Sequence, residues 1–294
     1  MRHAVRVALA ATIALGACSV DEAPQLEEAA FISYNSLAPA AFLDNGDALE
    51  LLAGGALDGA TTGLVDDEEG RSLLSYVVRC ALRAGDSAAF PRAGGPDLVY
   101  AGLLGFATAW KEDSLSDTGR RLMTGCVMAH VNAFETQVPI SIRNAIVGDA
   151  GLVEKLLYPS QELAVYGNYF AAPSQREIYV CFGKAVAQAL GPGGNLGGLL
   201  PSYLDLRVCS VSEQCGFHRV GACYRWPTIP SVTQAACEEQ SGSFYESCHE
   251  APIEQQSTPA WDETVSVYLQ AVHLTLLITE YLELICAISG GLVC

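Results

Sequence analysis

Positively charged side chains are scarce in this chain. Its 294 residues include 16 Lys and Arg against 33 Asp and Glu, which gives a formal net charge of −17. Lysine occurs only as Lys111, Lys155 and Lys184. Nucleic-acid binding needs a basic footprint that neutralises phosphates, so the composition excludes a nucleic-acid partner. The same charge disfavours electrostatic docking onto anionic lipid.

The motifs of several common catalytic sites are also missing. The chain has no Gly-x-Ser-x-Gly elbow for a serine hydrolase and no Asp-x-x-His pair that could supply its base. It has no His-Glu-x-x-His arrangement and no Cys-x-x-Cys pair. These absences disfavour serine hydrolysis, zinc sites and thioredoxin-like redox chemistry. We therefore predict no cofactor and no metal, and the residues favour a protein that is not an enzyme.

Charged residues make up only 17% of the chain, whereas half of its residues are hydrophobic. A sequence of this kind can bury a large core and is not intrinsically disordered. Its length suits one large domain or two modest ones. The composition therefore predicts a folded, acidic protein.

The first 17 residues have the three parts of a secretory signal. Arg2 and Arg6 supply a positive start, an apolar run extends from Val7 to Leu15, and small residues then lead to Cys18. The apolar run is shorter than the roughly 20 residues that cross a bilayer. A plain secreted protein usually has an Ala-x-Ala site where this chain has its cysteine. Two interpretations remain open, a lipidated Cys18 or ordinary cleavage nearby that leaves Cys18 unmodified.

The tetrad Leu15-Gly16-Ala17-Cys18 resembles the lipobox of bacterial lipoproteins. In that family the cysteine becomes the first mature residue and carries acyl chains, so the resemblance implies lipidation of Cys18 and lasting membrane attachment. Ser19 follows in place of an aspartate. By the same resemblance, this favours the outer membrane, on its periplasmic or cell-surface side. After loss of residues 1–17, the mature chain keeps 14 basic and 33 acidic side chains.

Three further segments resemble, more loosely, uncharacterised cysteine-containing bacterial lipoproteins. They are Tyr76-Val77-Val78-Arg79-Cys80-Ala81-Leu82, Tyr166-Gly167-Asn168-Tyr169-Phe170 and Cys215-Gly216-Phe217. No activity is attached to that pattern, so the resemblance transfers no catalytic residue. It adds to the lipobox only the expectation of a lipoprotein with many cysteines.

Ten cysteines remain once Cys18 is assigned to the lipid anchor. An even number in an oxidising compartment favours five disulfides over metal binding. These predicted half-cystines are Cys80, Cys126, Cys181, Cys209, Cys215, Cys223, Cys237, Cys248, Cys286 and Cys294. Spacing does not define their connectivity. Because Cys80 and Cys126 each lie on the buried stripe of neighbouring predicted helices, we predict that these two pair.

Changes in composition divide the chain into five regions. They are a signal peptide (1–17), a lipid-anchored tether (18–34), an α+β core (35–190), a Gly/Pro-rich connector (191–202) and a cysteine-rich, β-containing region with an apolar C-terminal segment (203–294). The connector is indicated by the glycines that follow Leu190. The predicted fold class is α+β, with a helical N-terminal half and a more β-rich, disulfide-stapled C-terminal half.

Periodicity predicts the main elements of this fold. Apolar spacing predicts helices over 68–84 and 116–134, and alternation predicts a half-buried strand over 137–143. Residues 176–182 indicate a buried strand that contains Cys181. The segment 264–288 is ambiguous, and we favour a core strand followed by a buried helix. Glu280 and Glu283 disfavour a membrane span there, because charge is expensive inside lipid.

Two positions in the chain remain candidates for catalytic residues. Cys126 and His130 lie one helical turn apart, so a thiolate–imidazole pair is conceivable, although a disulfide at Cys126 is the favoured interpretation. Glu162 lies near the aromatic cluster of Tyr166 and Tyr169, as an acid does in many glycosidase sites. No second acid can be assigned from the sequence, so packing of the aromatics in the core is favoured there.

Two functions follow as hypotheses. The leading one is a lipid-anchored, non-catalytic binding or structural module of the cell envelope, whose partners are the membrane and an envelope polymer or protein. The alternative is an anchored hydrolase of envelope or extracellular polymers that uses Glu162 or Cys126. A deep pocket around Glu162 and a second carboxylate would favour the hydrolase.

Overall fold

The structure is a computed structural model. It describes residues 32–134, 136–148, 150–191, 202–209, 216–224, 235–238, 240–251 and 260–289. The predicted signal peptide, Cys18 and residues 192–201 of the predicted connector lie outside the described residues. Cys215 and Cys294 lie outside them as well.

Helices occur throughout the described chain. The α-helices are α1 (Pro39–Leu43), α2 (Gly46–Ala53), α3 (Glu68–Ala81), α4 (Asp117–His130), α5 (Leu152–Leu157), α6 (Lys184–Leu190), α7 (Tyr203–Cys209) and α8 (Ala271–Ile288). Three short 3-10 helices span Gly63–Val65, Thr108–Lys111 and Pro173–Gln175. The predicted helices over 68–84 and 116–134 correspond to α3 and α4.

The strands are equally spread along the sequence. They are β1 (Ile32–Asn35), β2 (Ser87–Phe90), β3 (Leu98–Ala101), β4 (Val138–Arg143), β5 (Ser160–Asn168), β6 (Glu177–Phe182), β7 (His218–Ala222), β8 (Gln240–Ser241), β9 (Phe244–Tyr245), β10 (Cys248–His249), β11 (Ala260–Trp261) and β12 (Val265–Leu269). The predicted strands over 137–143 and 176–182 correspond to β4 and β6. Strand β1 begins inside the predicted tether, so folded structure starts at least three residues before position 35.

A six-stranded sheet with the order β1-β4-β12-β5-β6-β7 forms the centre of the fold. Its neighbours are antiparallel except for β6 and β7, which are parallel. Strand β12, from the end of the chain, lies between β4 and β5. The sheet therefore contains strands from both before and after the predicted connector.

The predicted α+β class, with a helical first half and a β-rich second half, is wrong. The fold is mixed α/β, because the strands of one mixed sheet alternate with helices along the chain. Strand β5 escaped prediction since both of its faces are buried and its residues show no apolar–polar alternation. In addition, the longest helix, α8, lies in the part that was predicted to be β-rich.

The two longest N-terminal helices begin with side-chain caps. The Asp67 carboxylate accepts a hydrogen bond from the Gly70 amide at 2.6 Å, and Glu68 and Glu69 add negative charge to the first turn of α3. The Ser116 hydroxyl accepts a hydrogen bond from the Gly119 amide at 3.1 Å at the start of α4. Local side-chain chemistry thus fixes where both helices start.

Helix α4 packs on one face of the sheet, against β5 and β12, and α3 packs against α4. The core there includes Val165, Val265 and Val267 from the central strands and Leu73 and Val127 from the helices. The opposite face carries a second, smaller cluster of buried residues, made of Ala164, Tyr166, Tyr179, Cys181, Cys223, Ala236, Cys237, Tyr245 and Cys248. The sheet is therefore covered by helices on one side and by disulfide-bonded segments on the other.

Helix α8 packs less tightly than a buried core helix. Leu274, Leu277, Tyr281 and Ile285 form its buried stripe, at helical spacing. It is the one helix of the described residues that is long and apolar enough to cross a membrane, and 22% of it is buried. The strand followed by a helix matches the favoured interpretation of 264–288, but the helix is only partly buried.

Candidate functional site

A short link between β1 and α1 borders a cleft in the described surface. Backbone hydrogen bonds hold this link to the end of α4, because the Leu37 amide donates to the His130 carbonyl at 3.0 Å and the Asn132 amide donates to the Leu37 carbonyl at 2.9 Å. Helix α4 ends here since Val131 is extended. Backbone hydrogen bonds therefore join the segment after the edge strand β1 to the C-terminal end of α4.

We call the cleft at this border the amide cleft. It has a volume of about 340 Å³ and is lined by Asn35, Ser36, Ala38, Pro39, Asn132, Ala133, Phe134 and Gln137. The Gln137 Nε2 donates to Ser36 Oγ at 2.9 Å, and Ser36 Oγ lies 2.6 Å from the Tyr76 hydroxyl. Neutral hydroxyl and amide groups therefore dominate its polar lining.

Two asparagines form the floor of the amide cleft. The Asn132 Nδ2 donates to the carbonyls of Asn35 (3.2 Å) and Thr136 (2.9 Å). The Asn35 Oδ1 accepts from the Val138 amide at 2.9 Å, but its Nδ2 has no hydrogen-bond partner although Asn35 is 0% exposed. Buried donors are seldom left without a partner. This Nδ2 is therefore an unpaired buried donor beneath the amide cleft.

A second, open cleft shares Ser36 and Ala38 with the amide cleft. Its volume is about 480 Å³, and its other lining residues are Ala41, Asp67, Glu68, Glu69 and Ser72. The Asp67 carboxylate already caps α3, and the two glutamates stabilise the start of the same helix. The acidic side chains of this second cleft therefore have a structural role at the start of α3.

Glu162, the glycosidase candidate, lies inside the protein. Val267 pairs with Leu163 and Tyr268 pairs with Gln161, so Glu162 is the extra residue of a β-bulge in β5. Its carboxylate accepts hydrogen bonds from Arg207 Nε at 2.9 Å and from the Tyr203 hydroxyl at 2.7 Å.

Burial and the charge of Glu162 raise the pKa of Tyr203 well above its usual value. Glu162 is 0% exposed and Arg207 is 1% exposed. The carboxylate lines none of the clefts described above, so the deep acidic pocket that would favour a glycosidase is not formed around it in the described residues.

Cys126 and His130, the cysteine-hydrolase candidates, are also occupied. Cys126 forms a disulfide with Cys80, with an S–S distance of 2.02 Å and a Cα–Cα distance of 6.0 Å. This is the pair that the two helical stripes predict. A disulfide sulfur is not a thiolate, so it cannot act as the nucleophile of a hydrolase.

The His130 side chain is fully buried beside that disulfide. Its Nδ1 donates to the Cys126 carbonyl at 2.8 Å, and its ring lies 4.8 Å from the Tyr76 ring. Burial lowers the pKa of His130 to about 3, against the opposing effect of the Cys126 hydrogen bond and with smaller contributions from nearby arginines. The imidazole is thus neutral and has a structural role at the end of α4.

Two further disulfides join Cys181 to Cys223 and Cys237 to Cys248. Cys209 and Cys286 are disulfide-bonded as well. Three sulfur atoms, those of Cys181, Cys223 and Cys237, lie within 4.8 Å of one another, and so do the ligand atoms of Cys80, Cys126 and His130. Metal binding needs thiolates, and every cysteine in these two groups is in a disulfide.

The amide cleft is a candidate site that the sequence did not indicate. Asn35 and Asn132 are 97 residues apart and carry no motif that connects them. The one signal in the sequence is that each of these two asparagines directly follows an apolar segment. The chain matches no protein-family model, no curated protein and no solved structure.

Proposed function

We propose that this chain is a lipid-anchored protein of the bacterial cell envelope that binds a neutral, hydroxyl-rich polymer without converting it. The anchor rests on the lipobox-like tetrad at residues 15–18, and Ser19 supports the outer membrane over the inner one. The periplasmic or cell-surface side of that membrane is an oxidising environment. Such an environment agrees with the disulfide-bonded cysteines of the fold.

One observation carries the non-catalytic part of the proposal. Glu162, Cys126 and His130 are each buried and occupied by a salt bridge, a disulfide or a backbone hydrogen bond. An acid, base or nucleophile needs access to the reacting atoms of a substrate. In the described residues, no contact of these three side chains favours the anchored-hydrolase alternative.

The chemistry of the amide cleft supports the class of ligand. Asn35, Asn132 and Gln137 provide amide groups, Ser36 provides a hydroxyl, and Phe134 adds an aromatic ring. Amides can both donate and accept, which suits the hydroxyl groups of a sugar, whereas a charged ligand would meet no opposite charge among these neutral side chains. A glycan strand of the envelope therefore fits the cleft better than an acidic or basic peptide does.

The anchor is tested by expressing the full chain in a Gram-negative host and weighing the mature protein. We expect the mass of residues 18–294 plus acyl chains, and recovery with the outer membrane. Cys18→Ser should abolish the added mass, and Ser19→Asp should move the lipidated protein to the inner membrane. A mature protein without acyl mass and free of the membrane would contradict the anchor.

Ligand binding is tested by calorimetry with a soluble fragment of envelope glycan. The exposed Gln137 is replaced by alanine, and Gln175→Ala, also exposed but outside the cleft, serves as the matched control. Loss of one ligand hydrogen bond should weaken binding about tenfold. Equal affinities for Q137A and Q175A, or no binding by the unaltered chain, would exclude the amide cleft as the glycan site. Hydrolysis of the fragment would instead favour the anchored hydrolase.

A further inference from the structure

Helix α5 exposes nearly all of its apolar side chains. Leu152 and Leu156 are 74% and 71% exposed, and Val153 and Leu157 are more than half exposed. Their spacing groups them along one side of the helix. We call these four side chains the α5 patch. A cluster of large exposed apolar residues commonly marks a surface that contacts a membrane or a partner.

The inner side of α5 is fixed to the sheet by polar contacts. The buried Glu154 accepts a hydrogen bond from Ser141 Oγ at 2.5 Å, and burial raises its pKa despite this bond and the nearby Arg143. One of the guanidinium nitrogens of Arg143 donates to the Tyr158 carbonyl just beyond the helix, at 2.9 Å. The helix therefore presents Glu154 inward and its apolar residues outward, which is the reverse of an ordinary surface helix.

The N-terminal segment enters the fold beside this helix. Ile32, the first described residue, pairs with Ser141, and Ser141 is the residue that binds Glu154 of α5. Thirteen residues separate Cys18 from Ile32. Fully extended, they span at most about 45 Å. Acyl chains on Cys18 would therefore keep the bilayer within about that distance of Ile32, whose strand partner Ser141 contacts α5.

The start of α8 adds a further apolar side chain near the same place. Tyr158, which follows α5, is hydrogen-bonded to Gln270, and burial raises its pKa against the effect of that bond. Gln270 directly precedes α8, and Val272 is 60% exposed. The apolar surface thus extends from α5 towards the first turn of α8.

We propose that the α5 patch inserts into the interfacial region of the membrane to which Cys18 is attached. This inference rests on the proposed lipid anchor. The patch belongs to a six-residue helix about 9 Å long, whereas a stable protein–protein interface buries about 800 Å² on each partner. A few apolar side chains are enough to enter a bilayer that an acyl anchor already holds nearby. With 33 acidic residues, the chain suits zwitterionic lipid better than anionic lipid.

The test places a fluorescent reporter in the α5 patch of the full chain. Val153→Trp introduces it there. Val99→Trp introduces it at a valine of β3 that is also more than half exposed, and β3 contacts α3 on the opposite face of the sheet. Each variant is purified from host membranes and reconstituted in phosphatidylcholine vesicles with brominated or unmodified acyl chains. Bromine quenches only a tryptophan that reaches the acyl region. We expect V153W to lose at least half of its added fluorescence and V99W to lose none.

The outcomes separate this inference from the anchor on which it rests. Acylated Cys18 without quenching of V153W would overturn the docking of α5 and leave the anchor intact. Quenching of V153W in a protein that mass measurement shows to be unacylated would support docking and reject the anchor. A V153W tryptophan that is shielded without bromine quenching, together with a doubled particle mass, would identify a second copy of the chain as the occupant and overturn the bilayer.

Discussion

Glu162 and Arg207 form a salt bridge of 2.9 Å from which solvent is excluded on both sides. The bulge in β5 turns Glu162 towards α7, where the Tyr203 hydroxyl adds a second donor. A buried charge needs both a partner and hydrogen bonds to offset its lost hydration. Glu162 therefore stabilises the fold. Its replacement should change the free energy of unfolding, whereas replacement of a catalytic residue would change a reaction rate.

Glu162→Leu should therefore destabilise the protein by about 3–5 kcal/mol, because it leaves the Arg207 charge buried and unpaired. The double variant Glu162→Leu with Arg207→Met should lose much less than the sum of the two single changes. Urea unfolding measures all three free energies. Asp86→Asn, which breaks the exposed contact with Lys111, is the control and should cost less than about 1 kcal/mol. Full stability of E162L combined with loss of a polymer-cleaving activity would instead make Glu162 a catalytic acid.

The disulfide between Cys80 and Cys126 joins α3 to α4 across 46 residues of sequence. Loop-closure entropy predicts that Cys80→Ala with Cys126→Ala lowers the free energy of unfolding by about 4 kcal/mol. Removal of the Cys237–Cys248 disulfide, which closes only 11 residues, should cost about 3 kcal/mol by the same relation. Denaturant titration of both double variants without reductant measures the difference. A free thiol at Cys126 in the unaltered protein, detected by alkylation, would contradict the pairing.

Burial of neutral His130 should make the protein sensitive to acid. Its pKa is lowered to about 3 in the folded state, against about 6.5 when unfolded. Between these values the unfolded chain binds the extra proton, so stability falls as pH decreases from about 6.5 towards 3. The slope from this one group is at most about 1.4 kcal/mol per pH unit.

His130→Asn isolates that contribution, because asparagine can still donate to the Cys126 carbonyl but does not titrate. The difference in unfolding free energy between the unaltered chain and H130N should be constant above pH 7. It should change in favour of H130N as the pH is lowered from about 6.5 to 4. Parallel curves across this range would show that the pKa of His130 is the same in the folded and unfolded states, which would contradict its burial.

Local patterns were enough to predict several elements of this fold. The apolar stripes of α3 and α4 and their buried cysteines predict both helices and the Cys80–Cys126 disulfide. Alternating residues predict β4, and a buried apolar segment predicts β6. These features depend on residues close in sequence, where spacing translates directly into a shared face.

The sheet order and the amide cleft depend on distant residues and could not be predicted. Strand β12 lies between β4 and β5 because of contacts made more than a hundred residues away along the chain. Strand β5 contains the buried residue Glu162. This charged residue interrupts the apolar run, so the sequence pattern does not indicate a strand there. Asn35 and Asn132 meet only after α4 has packed against the sheet. One sequence does not contain the pairing information that would connect them.

The close approach of α4 to the sheet supplies the last test. A Cβ atom added at Gly125 would lie 2.6 Å from Val265 Cγ2 and 3.2 Å from the Val165 carbonyl oxygen. Gly125→Ala should therefore destabilise the protein by about 1–3 kcal/mol, although alanine is the better helix former. Gly55→Ala is the matched control, since its added Cβ meets no heavy atom within 4 Å, and its effect should stay within about 1 kcal/mol. A thermal or urea transition that is equal or higher for G125A would mean that α4 lies farther from β5 and β12 than the structure places it.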